Sequence, residues 1–263
     1  MIEQTTTQLK VNRQHPLAIK IRKQITQALS DYKMIADGDK VMVCVSGGKD
    51  SSILTILLDE IRKRAEIEFT IEAVILDQKQ PGFEVTLFKN WMLGEDIKFN
   101  IIQKDTYSVV KEKVTTGVYC SLCSKMRRAI LYDYAFNHGF KKLALGHHRT
   151  DLIETTLLNM FYTGHIATMP AKLKSDDGRN IVIRPMMYVA EDDLINLAKD
   201  WGFPIIPCNL CGSQDGMKRQ RMKKLIKDLE TEIPSLSSSF ITALQNVNPS
   251  HTLDKKLFDF ENM

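Results

Sequence analysis

A short apolar segment that runs directly into a glycine-rich turn and then a helix constrains the fold more than any other feature of the sequence. The segment Val41–Val45 reads VMVCV, a continuously apolar run typical of a β-strand buried on both faces. From Asp50 to Arg64, apolar residues recur at helical spacing. Strands of this kind occur in parallel sheets that helices cover, and the segment therefore predicts an α/β fold.

The same alternation of strand and helix continues along most of the chain. Further strands are predicted at Thr70–Leu76, Ile97–Ile102, Leu143–Gly146 and Ile181–Pro185. Helices are predicted at residues 16–36, 84–93, 122–138, 151–162, 192–201, 215–230 and 235–246. The alternation predicts a parallel sheet with helices on both faces. Ligands of such sheets bind at the carboxyl ends of the strands, so the loop that follows Val45 is a candidate site.

Composition places the chain among globular proteins. Its 263 residues are 43% hydrophobic and 26% charged, which is enough to build a core without disulfide bonds. This composition excludes collagen-like, coiled-coil and small disulfide-rich proteins. No stretch approaches the roughly 18 consecutive apolar residues of a membrane helix, and the N-terminal residues lack the apolar region of a secretory signal. We therefore expect a cytoplasmic protein without a membrane partner.

The turn after the first strand has the chemistry of a phosphate-binding loop. Its two glycines allow the backbone to fold tightly, and the helix N-terminus supplies free N–H donors and the positive end of the helix dipole. A lysine adds a positive charge, and two serines add hydroxyl groups. The expected phosphate contacts are Ser46, Gly47, Gly48, Lys49, Asp50 and Ser51. The loop matches neither the Walker A nor the Rossmann pattern, and the alternative interpretation is a glycine-rich turn with Asp50 as a helix cap.

Four of the five cysteines form two C-x-x-C pairs, Cys120 with Cys123 and Cys208 with Cys211. An odd number of cysteines in a cytoplasmic chain argues against structural disulfides and favours metal or redox chemistry. Three interpretations are open: a four-cysteine zinc site, a redox or persulfide pair, and an iron–sulfur cluster held by three cysteines. The spacing alone does not choose among them. Cys44, inside the first strand, is expected to be a core residue.

Basic residues are concentrated in three places, although the net charge is only +4. The clusters lie within residues 10–23, 125–128 and 218–227, where a polyphosphate partner would meet concentrated positive charge. Two of them adjoin the cysteine pairs, which favours RNA binding over the cysteine site. The candidate RNA contacts are Arg127, Arg128, Lys218, Arg219 and Arg221. The alternative interpretation is that each run is the solvated face of a helix.

The loop Ser46–Ser51 reads SGGKDS and closely resembles the pyrophosphatase loop of the PP-loop ATP pyrophosphatases. Further segments accompany this loop and the two cysteine pairs. They are Asp77–Phe83, Gly146–Asp151, Asn159–Tyr162, Ile183–Pro185, Phe203–Gln214, Gln245–Val247 and Leu257–Phe260. From about residue 15 onward, the chain as a whole resembles the tRNA 2-thiocytidine synthetases, the cytidine branch of the PP-loop tRNA thiolases.

The resemblance implies a fold, a domain organisation and an activity. The fold is a Rossmann-like parallel sheet of the adenine nucleotide alpha-hydrolase type, with helical additions at both ends. The expected division is a helical segment at 1–36, the PP-loop domain with the cysteine site at 37–212, and a helical segment at 213–263. The activity is ATP-dependent sulfur transfer to C2 of cytidine 32 in the tRNA anticodon loop, after adenylation of O2 of that base.

The resemblance also implies cofactors and partners. A labile [4Fe–4S] cluster is expected on Cys120, Cys123 and Cys211, with Cys208 as the alternative third ligand. Three cysteine ligands leave one iron open, and that iron can bind hydrosulfide. ATP and Mg²⁺ are expected at the loop, tRNA as the substrate, a cysteine desulfurase as the sulfur donor, and a homodimer as the assembly.

Roles for particular residues near the ATP site follow from the same resemblance. Lys49 and Asp151 are the candidate catalytic residues, with Asp151 binding Mg²⁺ or positioning the base. Gly146 and His147 are expected to join the loop in binding ATP. The alternative roles are a helix cap for Asp151 and hydrogen-bonded structure for His147 or His148.

Other functions share part of this pattern. A PP-loop thiolase that acts on uridine, or one that uses a cysteine persulfide, differs in the base or in the sulfur carrier. A lysidine-type enzyme, in which an amine attacks the adenylated cytidine, has no evident use for two cysteine pairs. A zinc-bound RNA-binding protein with a decayed nucleotide loop would not be expected to keep all six loop residues. The iron and sulfide content, and AMP release with tRNA, distinguish these functions.

Overall fold

The computed structural model describes residues 11–83, 85–113, 119–203 and 214–262, and a six-stranded sheet organises them. The strands are β1 (Lys40–Val45), β2 (Thr70–Asp77), β3 (Phe99–Gln103), β4 (Lys142–Ala144), β5 (Lys172–Lys174) and β6 (Ile181–Ile183). Their order is β3-β2-β1-β4-β6-β5, and all neighbours are parallel except β5, which pairs antiparallel with β6. The predicted parallel sheet is confirmed. The edge strand β5 was not predicted, because it has three exposed residues and no apolar run.

Nine α-helices connect or flank these strands within the described residues. They are α1 (Pro16–Asp31), α2 (Lys49–Arg62), α3 (Val85–Glu95), α4 (Tyr107–Lys113), α5 (Tyr119–Asn137), α6 (Arg149–Thr163), α7 (Glu191–Trp201), α8 (Gln214–Glu232) and α9 (Leu236–Gln245). The short helix α4 was not predicted. Helix α1 ends five residues before the predicted position, because the chain turns at Lys33, whose φ of 44° is left-handed. None of the helices described is long and apolar enough to cross a membrane.

The central strand β1 sends alternate side chains into two separate cores, as expected for a strand covered on both faces. Val41, Val43 and Val45 join the larger core, to which α1, α2 and α7 contribute. Met42 and Cys44 join the smaller core beneath α5. Burial raises the pKa of the Cys44 thiol to about 12, so this cysteine is a neutral core residue as predicted.

The order of the strands places a topological switch point between β1 and β4. From β1 the chain moves outward through β2 to β3, then crosses back to start β4 on the other side of β1. Helices α2 and α6, which follow β1 and β4, both contribute buried residues to the larger core. The crevice at the carboxyl ends of these adjacent strands is where ligands of open α/β sheets bind. The loop after Val45 and the segment after Ala144 border this crevice.

The larger core makes a first prediction about stability. Leu57 of α2 is fully buried in it. Leu57→Ala is expected to lower the free energy of unfolding by about 2–5 kcal/mol, because apolar contacts are lost and a cavity remains. Leu253→Ala, at a side chain that is 98% exposed, is the control and should change it by less than about 0.5 kcal/mol. Urea unfolding measures both, and equal effects would contradict the described core.

Candidate active site

The loop between β1 and α2 forms a closed turn held by its own serines. Gly47 has a φ of 85°, a left-handed conformation that favours glycine, and Gly48 is the N-cap of α2. The backbone N–H of Ser46 donates to Oγ of Ser51 at 3.1 Å, and that hydroxyl donates to the carbonyl of Gly48 at 3.2 Å. Asp50 lies inside the first turn of α2, so the alternative interpretation that it caps the helix is wrong. The helix N-terminus thus faces the crevice without a capping side chain.

Gly146 brings the segment after β4 against this loop. A Cβ atom at Gly146 would lie 2.9 Å from the backbone N of Ser51 and 3.0 Å from its Cα. Both distances are to backbone atoms, which cannot move aside as a flexible side chain can. Only glycine therefore allows this approach of the two backbones. The two segments predicted to bind ATP are in direct contact.

Lys49 lies between two carboxylates. Its Nζ is 2.9 Å from Oδ1 of Asp50 and 3.9 Å from Oε1 of Glu191, the first residue of α7. Glu191 in turn accepts a hydrogen bond from Nζ of Lys223 on α8 at 2.6 Å. Glu191 was not predicted as a site residue, because in the sequence it belongs to an ordinary acidic first turn of a helix.

Asp151 occupies the first turn of α6 and caps that helix. Its Oδ2 accepts a hydrogen bond from the backbone N–H of His148 at 3.0 Å, and it lies 3.5 Å from Nε2 of the same residue. The structural role that was the alternative for Asp151 is therefore present. A cap and a ligand role are compatible, because a carboxylate has several lone pairs.

His147 is held neutral by its surroundings. Burial lowers its pKa to about 4, with Arg184 and Arg219 lowering it further and Asp151 opposing them. Its Nδ1 is buried and, among the described residues, has no hydrogen-bond partner. A buried ring nitrogen without a partner beside a crevice is available to a ligand.

Cys123, the second member of the first cysteine pair, lies at the same edge of the sheet. Cys120 and Cys123 belong to α5, one helical turn apart, a spacing that puts two residues on one helix face. The Cys123 thiol donates a 3.6 Å hydrogen bond to Oε1 of Gln78, which follows the carboxyl end of β2. Cys208 and Cys211 lie outside the described residues. Among the residues described, no group of three or more His, Cys, Asp or Glu side chains could hold a metal ion.

The two arginines that follow this pair point in different directions. Arg127 is partly buried and donates to the carbonyl oxygen of Val45 at 3.4 Å, so it contacts the end of β1 beside the loop. Arg128 is exposed and lines a separate cleft of about 300 Å³. Lys125, Asp133 and Arg179 also line that cleft. Arg127 therefore belongs to the crevice, and Arg128 faces outward.

The basic residues predicted on α8 are all exposed, and one of them also reaches a buried acid on α6. Arg219 forms a 3.0 Å ion pair with the buried carboxylate of Glu154 on α6. Burial raises the pKa of Glu154 to about 7, although Arg219 acts in the opposite direction. Lys218 and Arg221 are exposed. Glu154 was not predicted, since only the packing of α8 on α6 gives it a charged partner.

Comparison with known proteins identifies the family. Residues 17–206 match the family model described as PP-loop domain. A protein of Bdellovibrio bacteriovorus named tRNA-cytidine(32) 2-sulfurtransferase is 63% identical over 96% of this chain and 98% of its own length. One of the same name from Coxiella burnetii is 50% identical over 91% of this chain and 94% of its own. The chain belongs to this family.

A solved structure supports the fold independently. The U34-tRNA thiolase NcsA from Methanococcus maripaludis, solved with its [4Fe–4S] cluster, superimposes with a TM-score of 0.70. The match covers 89% of this chain and 80% of the other, at 19% sequence identity. The fold and family implied by the sequence are confirmed, and so is the enzyme class, an ATP-dependent tRNA sulfurtransferase. The individual site residues and the domain boundaries stay predictions.

The contact at Gly146 predicts that an added methyl group lowers stability there, whereas at a control glycine it does not. Gly146→Ala is expected to destabilise the protein by about 1–3 kcal/mol and to weaken ATP binding, because the new methyl group separates two backbones. Gly94→Ala in α3 meets nothing within 4 Å and should be neutral or stabilising by up to about 1 kcal/mol. Thermal unfolding and ATP titration measure both, and wild-type ATP affinity in Gly146→Ala would contradict the described contact.

The lowered pKa of His147 predicts a pH dependence of stability. Between pH 6.5 and about 4 the unfolded chain binds a proton at His147 that the folded chain does not, so stability falls as the pH falls through this window. His147→Gln should reduce that fall by about 3 kcal/mol relative to wild type, the free energy that corresponds to this shift in pKa. His251→Gln, at an exposed histidine, is the control. Urea titrations at several pH values measure the difference, and parallel curves would contradict a neutral His147.

Proposed function

We propose that this chain adenylates O2 of cytidine 32 in tRNA and replaces that oxygen with sulfur. The observation that carries the proposal is that the Ser46–Ser51 loop and the Cys123 thiol lie at one edge of one sheet. This edge is the carboxyl ends of the adjacent strands β1 and β2. The first group suits a phosphate chain, and the second suits a sulfur or metal centre. Homologues at 63% and 50% identity are named tRNA-cytidine(32) 2-sulfurtransferase, which supports the sulfur transfer.

The loop is suited to hold the phosphates of ATP. The uncapped N-terminus of α2 presents backbone N–H groups to the crevice, and the helix dipole favours an anion there. Lys49 is placed at the same point, and its present partners are two carboxylates. When ATP binds, the Lys49 ammonium exchanges these partners for phosphate oxygens and stabilises the charge that develops on pyrophosphate.

Oxygen ligands for Mg²⁺ are available beside the loop. Asp50 lies in the first turn of α2 and Asp151 in the first turn of α6, on the two sides of the crevice. Carboxylates of this kind, together with phosphate oxygens and water, are what Mg²⁺ requires. We assign Asp151 to Mg²⁺ or to orienting the base, in addition to its observed role as a cap. Mg²⁺, when bound, would supply positive charge between the phosphates.

The target base must leave the stack before its O2 can react. An unpaired anticodon-loop nucleotide makes this less costly than a base pair does. Adenylation turns the O2 of cytosine into a leaving group, since AMP departs with that oxygen. Neutral His147, with a buried ring nitrogen that lacks a partner among the described residues, is suited to contact the nucleotide without adding charge.

The cysteines are suited to a [4Fe–4S] cluster. Cys120 and Cys123 supply two thiolates one helical turn apart, and we assign Cys211 as the third ligand, with Cys208 as the alternative. When bound, the cluster would supply an open iron, a soft site that holds sulfide better than Mg²⁺ can. A cysteine desulfurase would supply the sulfur, and the assembly would be a homodimer. Arg127, next to the loop, is placed to contact phosphate of ATP or RNA.

Two single substitutions test whether the loop serves ATP chemistry and the cysteines hold the cluster. Lys49→Ala is expected to lower the rate of AMP release with tRNA by at least a hundredfold while the iron content stays unchanged. Cys123→Ala should lose iron and sulfide while ATP binding persists. Cys44→Ala, in the core, is the matched control and should keep the cluster.

The measurements are iron and acid-labile sulfide after anaerobic purification, AMP release, and mass spectrometry of the tRNA nucleosides. One bound zinc without sulfide would overturn the cluster and favour a persulfide carrier. Thiolated uridine in place of 2-thiocytidine would overturn the substrate. Loss of iron in Lys49→Ala would contradict the assignment of ATP chemistry to the loop and of iron binding to the cysteines alone.

A further inference from the structure

The C-terminal end of α6 carries an exposed apolar surface outside the crevice. Met160, Phe161 and Tyr162 expose 42%, 57% and 45% of their surface, and Ile166 in the following loop exposes 73%. We call these four residues the α6 platform. Single exposed apolar residues are ordinary, but four large ones within seven positions concentrate apolar surface at this end of the helix.

The loop that carries Ile166 is tied back onto α6. The side chain of Asn159 donates to the carbonyl of Ala167 at 2.8 Å, and the hydroxyl of Thr168 donates to the carbonyl of Leu152 at 2.9 Å. The second bond brings the loop to the residue that follows Asp151. Hydrogen bonds therefore hold the platform together, and it lies on the helix whose first turn borders the crevice.

Positive charge borders this platform. Nζ of Lys218 lies 4.7 Å from the centre of the Tyr162 ring, a cation–π contact. Arg219 and Lys223 are engaged by Glu154 and Glu191, but Arg221 is exposed and has no ion pair among the described side chains. Aromatic rings beside outward-facing cations suit unpaired nucleotides, because bases stack on the rings and the cations meet phosphates.

A second copy of this chain fits the surface less well. A two-fold interface brings the same patch of both copies together, so the Lys218 and Arg221 side chains of both copies would be gathered in one interface. Like charges brought together in this way oppose association. A polyanion has no such penalty, and the charge therefore favours RNA as the occupant.

The platform lies within reach of a nucleic acid bound at the crevice. Asp151 and Tyr162 are on one helix, so the rise of about 1.5 Å per residue separates them by about 16 Å. We propose that the α6 platform stacks unpaired anticodon-loop bases that neighbour the target nucleotide, while Lys218 and Arg221 contact the adjoining phosphates. This inference rests on the proposed function, because it assumes a tRNA substrate.

The test uses the full-length protein and an anticodon stem-loop RNA with 2-aminopurine at loop positions beside residue 32. The double variant Phe161→Ala/Tyr162→Ala should raise the Kd by at least tenfold and abolish the fluorescence change caused by stacking. Phe161→Tyr/Tyr162→Phe keeps both rings and should bind like wild type. Leu253→Ala, an exposed leucine elsewhere, is the control. ATP affinity should be unchanged in all variants.

Three results would overturn the inference in distinguishable ways. If wild type binds the stem-loop and the double variant binds equally well, the platform is not an RNA surface, and the proposed function stands. If wild type binds no tRNA or stem-loop, the proposed function fails and the inference fails with it. If the double variant converts a wild-type dimer to monomer in sedimentation, with unchanged RNA binding by the monomer, the surface belongs to a second copy.

Discussion

The approach of Gly146 to the backbone of Ser51 is the contact on which the rest of the site depends. Strand β1 leads into the Ser46–Ser51 loop, and strand β4 leads into the segment that begins α6. The switch point between β1 and β4 makes these segments neighbours, and the missing side chain lets them touch. This backbone contact places two residues beside the loop, the neutral His147 and Asp151, which caps α6.

Much of the fold could be predicted because its signals are local. The run Val41–Val45 is buried on both faces, and its apolar continuity alone indicates that environment. The antiparallel edge strand Lys172–Lys174 has no such signal, because its residues are exposed. It becomes a strand because the turn that follows brings it beside Ile181–Ile183. The strand order likewise depends on contacts between distant segments, which periodicity does not encode.

Some residues of the candidate site could likewise be predicted from the sequence, and others could not. The Ser46–Ser51 loop could be predicted because six consecutive residues carry its chemistry. Glu154 and Glu191 could not, because tertiary packing brings each to the site: α8 on α6 brings Arg219 to Glu154, and α7 on α2 brings Glu191 to Lys49. The basic run on α8 is predicted to face RNA, and two of its exposed members, Arg219 and Lys223, also pair with carboxylates of α6 and α7. Charge counted along a sequence does not separate these two uses.

The position of Glu191 makes the loop and α8 thermodynamically interdependent. This carboxylate is shared by Lys49 and Lys223, so an anion that draws Lys49 away leaves it to Lys223 alone. Coupling of this kind is reciprocal: whatever α8 does to the affinity of the loop for phosphate, phosphate does to the docking of α8 by the same factor. Helix α8 begins at Gln214, directly after the second cysteine pair. An anion bound at the loop would therefore change, through one shared carboxylate, the docking of the helix that adjoins those cysteines.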